Sequence, residues 1–146
     1  QKCLKLMETA NAIYLSTIGK DGFPYTRMMS NLRNKEENPD SAKVLEADKK
    51  DFVVYFATGT SSIKMQQIRA NPKVSAYLCD PGELHTLMFG GEIEEITDKQ
   101  FKKQLWMDGW EMHWPGGADD PEFTVIKLSP AFARGWYKKS PFEFKL

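Results

Sequence analysis

The sequence is poor in the residues that build metal centres and disulfide scaffolds: of its 146 residues, two are cysteine and two are histidine. A single bridge between Cys3 and Cys79 would close a long loop in a chain that already has 41% hydrophobic residues, so free thiols are expected. His85 and His113 lack the short spacing and the Cys or carboxylate company of a zinc site, and no metal is expected. Charge of one sign is also missing, since Lys plus Arg and Asp plus Glu each number 20. No net field therefore draws the chain to nucleic acid or to an anionic membrane, and any anion must be gripped by locally placed groups. No apolar run approaches the roughly 20 residues that span a bilayer. Residues 1–9 mix charge with Leu and Met instead of forming a signal sequence, so a cytoplasmic protein is expected. The length suits a single domain over residues 1–146 with one substantial core.

What is present is a succession of short strand signals. Leu4, Leu6, Met7 and Ala10 recur at near-helical spacing and predict an opening amphipathic helix over residues 2–12. Ile13, Leu15 and Thr17 then alternate with Tyr14, Ser16 and Ile18, and Gly19-Lys20-Asp21-Gly22 has the chemistry of a tight hairpin turn. A second strand is expected over residues 23–32, and the polar stretch 33–47 is expected as a solvated loop. Phe52-Val53-Val54-Tyr55-Phe56 predicts a buried strand. Thr60, Ser61 and Ser62 precede a short helix over residues 63–70, stopped by Asn71-Pro72. Further strands are expected over residues 74–79 and 84–96, the latter bent by a bulge at Gly90-Gly91. Asp98 can cap a helix bearing Phe101, Leu105 and Trp106 on one side, followed by an irregular stretch 109–121. Strands near residues 123–128, 133–137 and 142–144 close the chain. Six or more short strands with few helices favour a closed or partly closed antiparallel sheet over a parallel βαβ fold.

The run Thr58-Gly59-Thr60-Ser61-Ser62-Ile63-Lys64 carries a strand end through hydroxyl residues into a helix start. Free N–H groups, the helix dipole and the Lys64 charge form a candidate phosphate site there; an ordinary serine-capped helix with a solvated lysine is the alternative. Arg27 lies mid-strand beside Met28, Met29 and Ser30, where a charge on a predominantly apolar strand requires a partner. That partner is either the same phosphate, gripped by two parallel hydrogen bonds, or a structural ion pair; alternatively the side chain faces outward. His85, next but one to Glu83, is given no catalytic role, and the aromatic patch Trp106, Trp110, His113 and Trp114 is read as core or dimer packing or as a cover for a ring.

In order along the chain, Thr26-Arg27-Met28-Met29, Phe56-Ala57-Thr58, Ser61-Ser62-Ile63-Lys64 and Asn71-Pro72-Lys73-Val74 resemble the pyridoxamine 5′-phosphate oxidase-like split β-barrels that bind flavin mononucleotide (FMN). Trp114-Pro115-Gly116-Gly117 with Asp119-Asp120-Pro121, then Leu128 and Trp136, resembles the general-stress-protein branch of that family. The resemblance implies a mainly β, antiparallel split barrel, an FMN cofactor and a homodimer with the cofactor site at its interface. It implies that Arg27, with Met28, Met29 and Ser30, contacts the phosphate, ribityl chain and flavin edge, that Ala57 and Thr58 line the flavin, and that Ser62 and Lys64 hold phosphate. Thr86 and Trp136 match positions that reach the cofactor across the dimer interface, sheet packing being their alternative.

Two departures qualify the match. Many relatives carry a second basic residue just before the lysine, where this chain has Ile63. True pyridoxamine phosphate oxidases continue past the matching tryptophan into an Arg- and His-bearing tail, whereas here Tyr137-Lys138-Lys139-Ser140-Pro141-Phe142-Glu143-Phe144 follows, so vitamin B6 oxidation is not expected. The resemblance leaves three functions in play. They are a flavin-dependent oxidoreductase of unknown small-molecule substrate, a non-catalytic flavin carrier or stress-linked sensor, and a barrel using deazaflavin or haem instead.

Overall fold

A computed structural model describes residues 1–48 and 51–146. Helix α1 (Lys2–Thr9) buries Leu6 and Met7 and ends at Ala10, whose extended backbone starts strand β1 (Ala12–Ile18). Ile13, Leu15 and Thr17 point into the core from β1. The hairpin turn closes with Gly22 at φ 81°, a conformation that glycine adopts freely, and with the Phe23 N–H donating to Asp21 Oδ1 at 3.0 Å. Strand β2 (Pro24–Ser30) returns antiparallel to β1, with Leu15 opposite Arg27. The remaining elements are α2 (Pro39–Val44), β3 (Val54–Gly59), α3 (Ile63–Ala70), β4 (Lys73–Asp80), β5 (His85–Ile96), α4 (Lys99–Leu105), β6 (Phe123–Tyr137) and β7 (Ser140–Lys145).

The strands form an antiparallel sheet in the order β2-β1-β4-β5-β6-β3, with β7 paired to β6 beyond the end of β3. Curled into a barrel, the sheet leaves β2 and β3 as its two ends, and the seam between them is the split. Inside lies the larger core, which includes Met7, Ile13, Leu15, Phe56, Leu78, Leu87, Phe89 and Ile126. A second cluster packs on the other face of β3 and β6 around Leu32, Leu45, Tyr55, Leu105, Phe123 and Val125. The β3–β6 pair is thus buried on both faces, which is why residues 52–56 read as an unbroken apolar run.

The expected elements appear with three differences. Residues 33–47 are not a solvated loop: they contain α2 and a 3-10 turn (Leu45–Asp48), and Arg33, Asn34, Ser41 and Leu45 are buried. The polar residues are internal because they satisfy backbone carbonyls. Arg33 Nη1 donates to Asp51 O at 2.6 Å and Val53 O at 3.1 Å, Asn34 Nδ2 to Ala10 O at 3.2 Å, and Ser41 Oγ to Leu105 O at 3.0 Å. The two strands expected at 123–128 and 133–137 are one, β6, because Pro130 sits at the Gly90/Gly91 register shift, where a missing N–H costs no ladder bond. The opening helix stops at Thr9, three residues short of its expected end.

Close backbone approach fixes two glycines of the β5–β6 ladder. A Cβ on Gly90 would lie 2.2 Å from the Phe132 ring, and one on Gly135 would lie 2.0 Å from the Thr86 carbonyl oxygen. A side chain can yield, whereas a carbonyl within a ladder cannot. We expect Gly135→Ala to lower unfolding free energy by about 2–3 kcal/mol. Gly90→Ala is expected to be largely rescued by a second change, Phe132→Ala. Urea unfolding of the two single variants and the double variant checks both statements; a Gly135→Ala protein of unchanged stability would contradict the first.

Candidate functional site

The seam between β2 and β3 opens into a cleft of about 610 Å³, within the roughly 300–1,000 Å³ usual for small-molecule sites. Met28, Met29 and Ser30 of β2 line one edge, Ala57, Thr58 and Gly59 of β3 the other, and Lys64 of α3 reaches in. The far wall is Trp110, Met112, His113 and Trp114, from the segment between α4 and β6. Six of the ten residues expected at the site therefore share one cleft: Met28, Met29, Ser30, Ala57, Thr58 and Lys64.

The electrostatics of this region are set by two cations. Arg27 lies opposite the buried Leu15, so its side chain runs on the inner face of the sheet. Its Nη1 donates to Thr17 Oγ1 at 2.7 Å and Leu15 O at 3.3 Å, and its Nη2 to Gln67 Oε1 at 3.3 Å. Thr17 Oγ1 in turn donates to Gln67 Oε1 at 2.5 Å. Lys64 Nζ donates to the buried Thr58 Oγ1 at 2.8 Å. Burial pushes the Arg27 pKa down, and burial together with the nearby Arg27 charge pushes Lys64 down. No carboxylate touches either cation among the described residues, so the structural ion pair considered for Arg27 does not form. Two neighbouring, part-buried positive charges are thus held by neutral groups alone, an arrangement that favours a nearby anion.

The hydroxyl run ahead of α3 is largely committed. Ser62 is the N-cap and accepts from Met65 N at 3.4 Å, as the capped-helix alternative supposed. Ser61 Oγ and N both donate to Glu122 Oε2, at 2.7 and 3.1 Å, and the Thr60 hydroxyl donates to Pro121 O at 2.6 Å. Ile63 is exposed, and Arg69 on the same helix is engaged by Glu95. Thr86 and Trp136 do not line the cleft. They face each other across β5 and β6, where Trp136 N donates to Thr86 Oγ1 at 3.0 Å. Sequence reasoning missed Thr17 and Gln67, which clamp Arg27. A hydroxyl on the buried face of β1 and an amide one turn beyond Lys64 were the available signals.

Residues 2–146 match the family described as pyridoxamine 5′-phosphate oxidase like, and the chain belongs to that family. Over 96 residues it is 29% identical to a pyridoxine/pyridoxamine 5′-phosphate oxidase of Christiangramia forsetii. The match covers 66% of this chain but only 38% of that relative's length. Among solved structures, a Clostridium acetobutylicum protein related to general stress protein 26 superposes with a TM-score of 0.77 at 25% identity, covering 99% of this chain and 92% of its own. A pyridoxamine 5′-phosphate oxidase-related, FMN-binding protein of Nostoc punctiforme gives a TM-score of 0.62 at 14% identity, with 93% and 86% covered.

Outside the cleft, His85 is buried at the start of β5, edge-on to the Tyr137 ring at 5.2 Å, with its Nε2 3.8 Å from Cys3 Sγ. Both cysteines are free, and burial pushes the Cys3 thiol pKa up. Burial, aided by Lys2, pushes the His85 pKa below its ordinary value, against an opposing pull from Asp80 and Glu83. A base with a depressed native pKa takes up its proton more readily when unfolded. Its stabilising contribution is therefore present above the unfolded value, near 6.5, and is lost as pH falls below it. Urea midpoints are expected to drop between about pH 7.5 and about pH 5.5, with the slope reduced in His85→Phe. Equal slopes in the two proteins would show that His85 does not contribute.

Proposed function

We propose that this protein binds FMN in the β2–β3 cleft and acts as a flavin-dependent oxidoreductase on a small molecule. The observation that carries the reading is Lys64, a part-buried cation that lines the cleft on a hydroxyl partner, with Arg27, held by neutral groups outside the lining, close enough to lower the lysine pKa. A phosphate fits this pair: Arg27 offers a planar fork already oriented by Thr17 and Gln67, and Lys64 a point charge. Met28 to Ser30 and Ala57 to Thr58 then flank the ribityl chain and ring, and Ser62 fixes the helix end that presents Lys64. When bound, the flavin supplies the hydride chemistry, and the chain supplies orientation and electrostatics. Membership of a family that commonly binds FMN supports the same assignment.

Vitamin B6 oxidation is not part of the proposal. The residues after Trp136 fold back as β7, pairing Ala133 with Phe144 and Tyr137 with Ser140, and are engaged in the sheet. A flavin carrier or sensor remains the second reading, favoured by one observation: Lys64 and His113 are the only titratable side chains lining the cleft among the described residues.

The assembly we propose is a homodimer. Met28, Tyr14, Tyr77 and Met88 form a cross-strand row on the outer face of the sheet, and the first three are 68%, 39% and 40% exposed. Trp136, 52% exposed, lies on the same face. A second copy covering that row would bring Thr86 and Trp136 toward the partner's cleft.

Lys64→Ala and Arg27→Ala are each expected to weaken FMN binding by about 1.5–3 kcal/mol while leaving riboflavin affinity nearly unchanged. Calorimetric titration of both variants with both ligands checks this. Parallel losses would mean that misfolding, not a phosphate contact, is being read. Sedimentation equilibrium of the FMN-loaded protein is expected to show a dimer, and monomer throughout a wide concentration range would refute the assembly.

A further inference from the structure

The aromatic wall opposite β2 is built as a packed surface, yet part of it remains exposed. Phe123 pairs with Gly59 at the end of β3, and its ring contacts Trp106, Trp110 and Trp114 with centroids 5.0–5.9 Å apart. The wall is therefore fixed to the same strand pair that presents Thr58 and Gly59. Internal bonds hold the connecting backbone: Gly109 N donates to Glu111 Oε2 and Gly116 N to Asp120 Oδ2, both at 2.8 Å. Gly109 and Gly117 take positive φ. Trp110 and Trp114 nonetheless retain partial exposure, Met112 is 85% exposed, and the His113 imidazole stands 5.7 Å from the Trp114 ring.

The charges of this wall are sorted. Glu111 and Asp120 are turned into the loop's own backbone, and Asp119 pairs with Lys103 at 3.5 Å. No carboxylate lines the cleft among the described residues, whereas Lys64 and His113 do, one on each side. Flat aromatic faces, an adaptable thioether and an imidazole N–H donor, with no acid among them, suit a flat conjugated ring bearing an anionic oxygen.

We infer that the Trp110–Trp114 wall is the substrate-binding side of the cleft, and that it takes a small, planar, conjugated carboxylate with Met112 against the ring and His113 at the carboxylate. This rests on the cofactor reading, because it assigns to the second wall what the β2–β3 edges and Lys64 leave open.

The test uses naphthalene-2-carboxylate as the planar anion and cyclohexanecarboxylate as a non-planar anion of equal charge, titrated calorimetrically into FMN-loaded protein. The planar probe is expected to bind about tenfold more tightly than the non-planar one. Met112→Ala and His113→Ala, both at exposed positions, are each expected to weaken the planar probe by about fivefold to tenfold with FMN affinity unchanged. Equal binding of the two probes, or variants that leave naphthoate affinity intact, would overturn the inference. Variants that instead loosen the dimer in sedimentation would show that the wall is a subunit contact, and would overturn it as well. If the wild-type chain does not take up FMN, the cofactor reading fails by itself. The same two probes titrated into the cofactor-free protein then decide whether the wall binds planar anions.

Discussion

Burial of the β3–β6 pair on both faces is the constraint on which the arrangement depends. One face, through Val54, Phe56, Ile126 and Leu128, completes the barrel core; the other, through Tyr55, Phe123 and Val125, carries the second cluster. A strand pair buried twice cannot slip by one residue without exchanging the two cores, so its register is strongly specified. The pairing of Gly59 with Phe123 follows from that register. With it are fixed the strand end at Thr58, the cap at Ser62 and the platform on which the tryptophans rest.

Against this rigid background the electrostatics of the seam are unusual for what they omit. On the same helix as Lys64, Arg69 is paired with Glu95 at 2.7 Å. Arg27 and Lys64 instead lean on a hydroxyl, a carbonyl and an amide, which orient them without neutralising them. Two like charges brought together in partial burial oppose folding. Removing or neutralising either charge would relieve that opposition.

Much of this was legible in the sequence. The alternation of Ile13, Leu15 and Thr17, the glycine-rich turn, the helix between Ile63 and Ala70 and the bulge at Gly90-Gly91 follow from local chemistry that the tertiary structure does not override. Residues 33–47 were misjudged because polarity was taken for exposure. Arg33, Asn34 and Ser41 are internal because their side chains donate to carbonyls remote in sequence, and no periodic pattern reports such a partner. The lysine expected at the site lines the cleft, whereas Arg27 sits outside its lining. That Gln67 and Thr17 aim the arginine, and that Glu122 occupies Ser61, depends on contacts between separate elements that only the folded chain brings together.

The aromatic segment between α4 and β6 contributes no strand to the barrel. It is held by its own backbone bonds, by the Phe123 ring at the foot of β6, by Trp106, by the Lys103–Asp119 pair and by the Thr60 hydroxyl on Pro121 O. Substitutions along its outer edge therefore leave the ladder registers and the cation pair where they are. The chemistry of the cleft's far wall can thus be changed independently of the barrel that carries it.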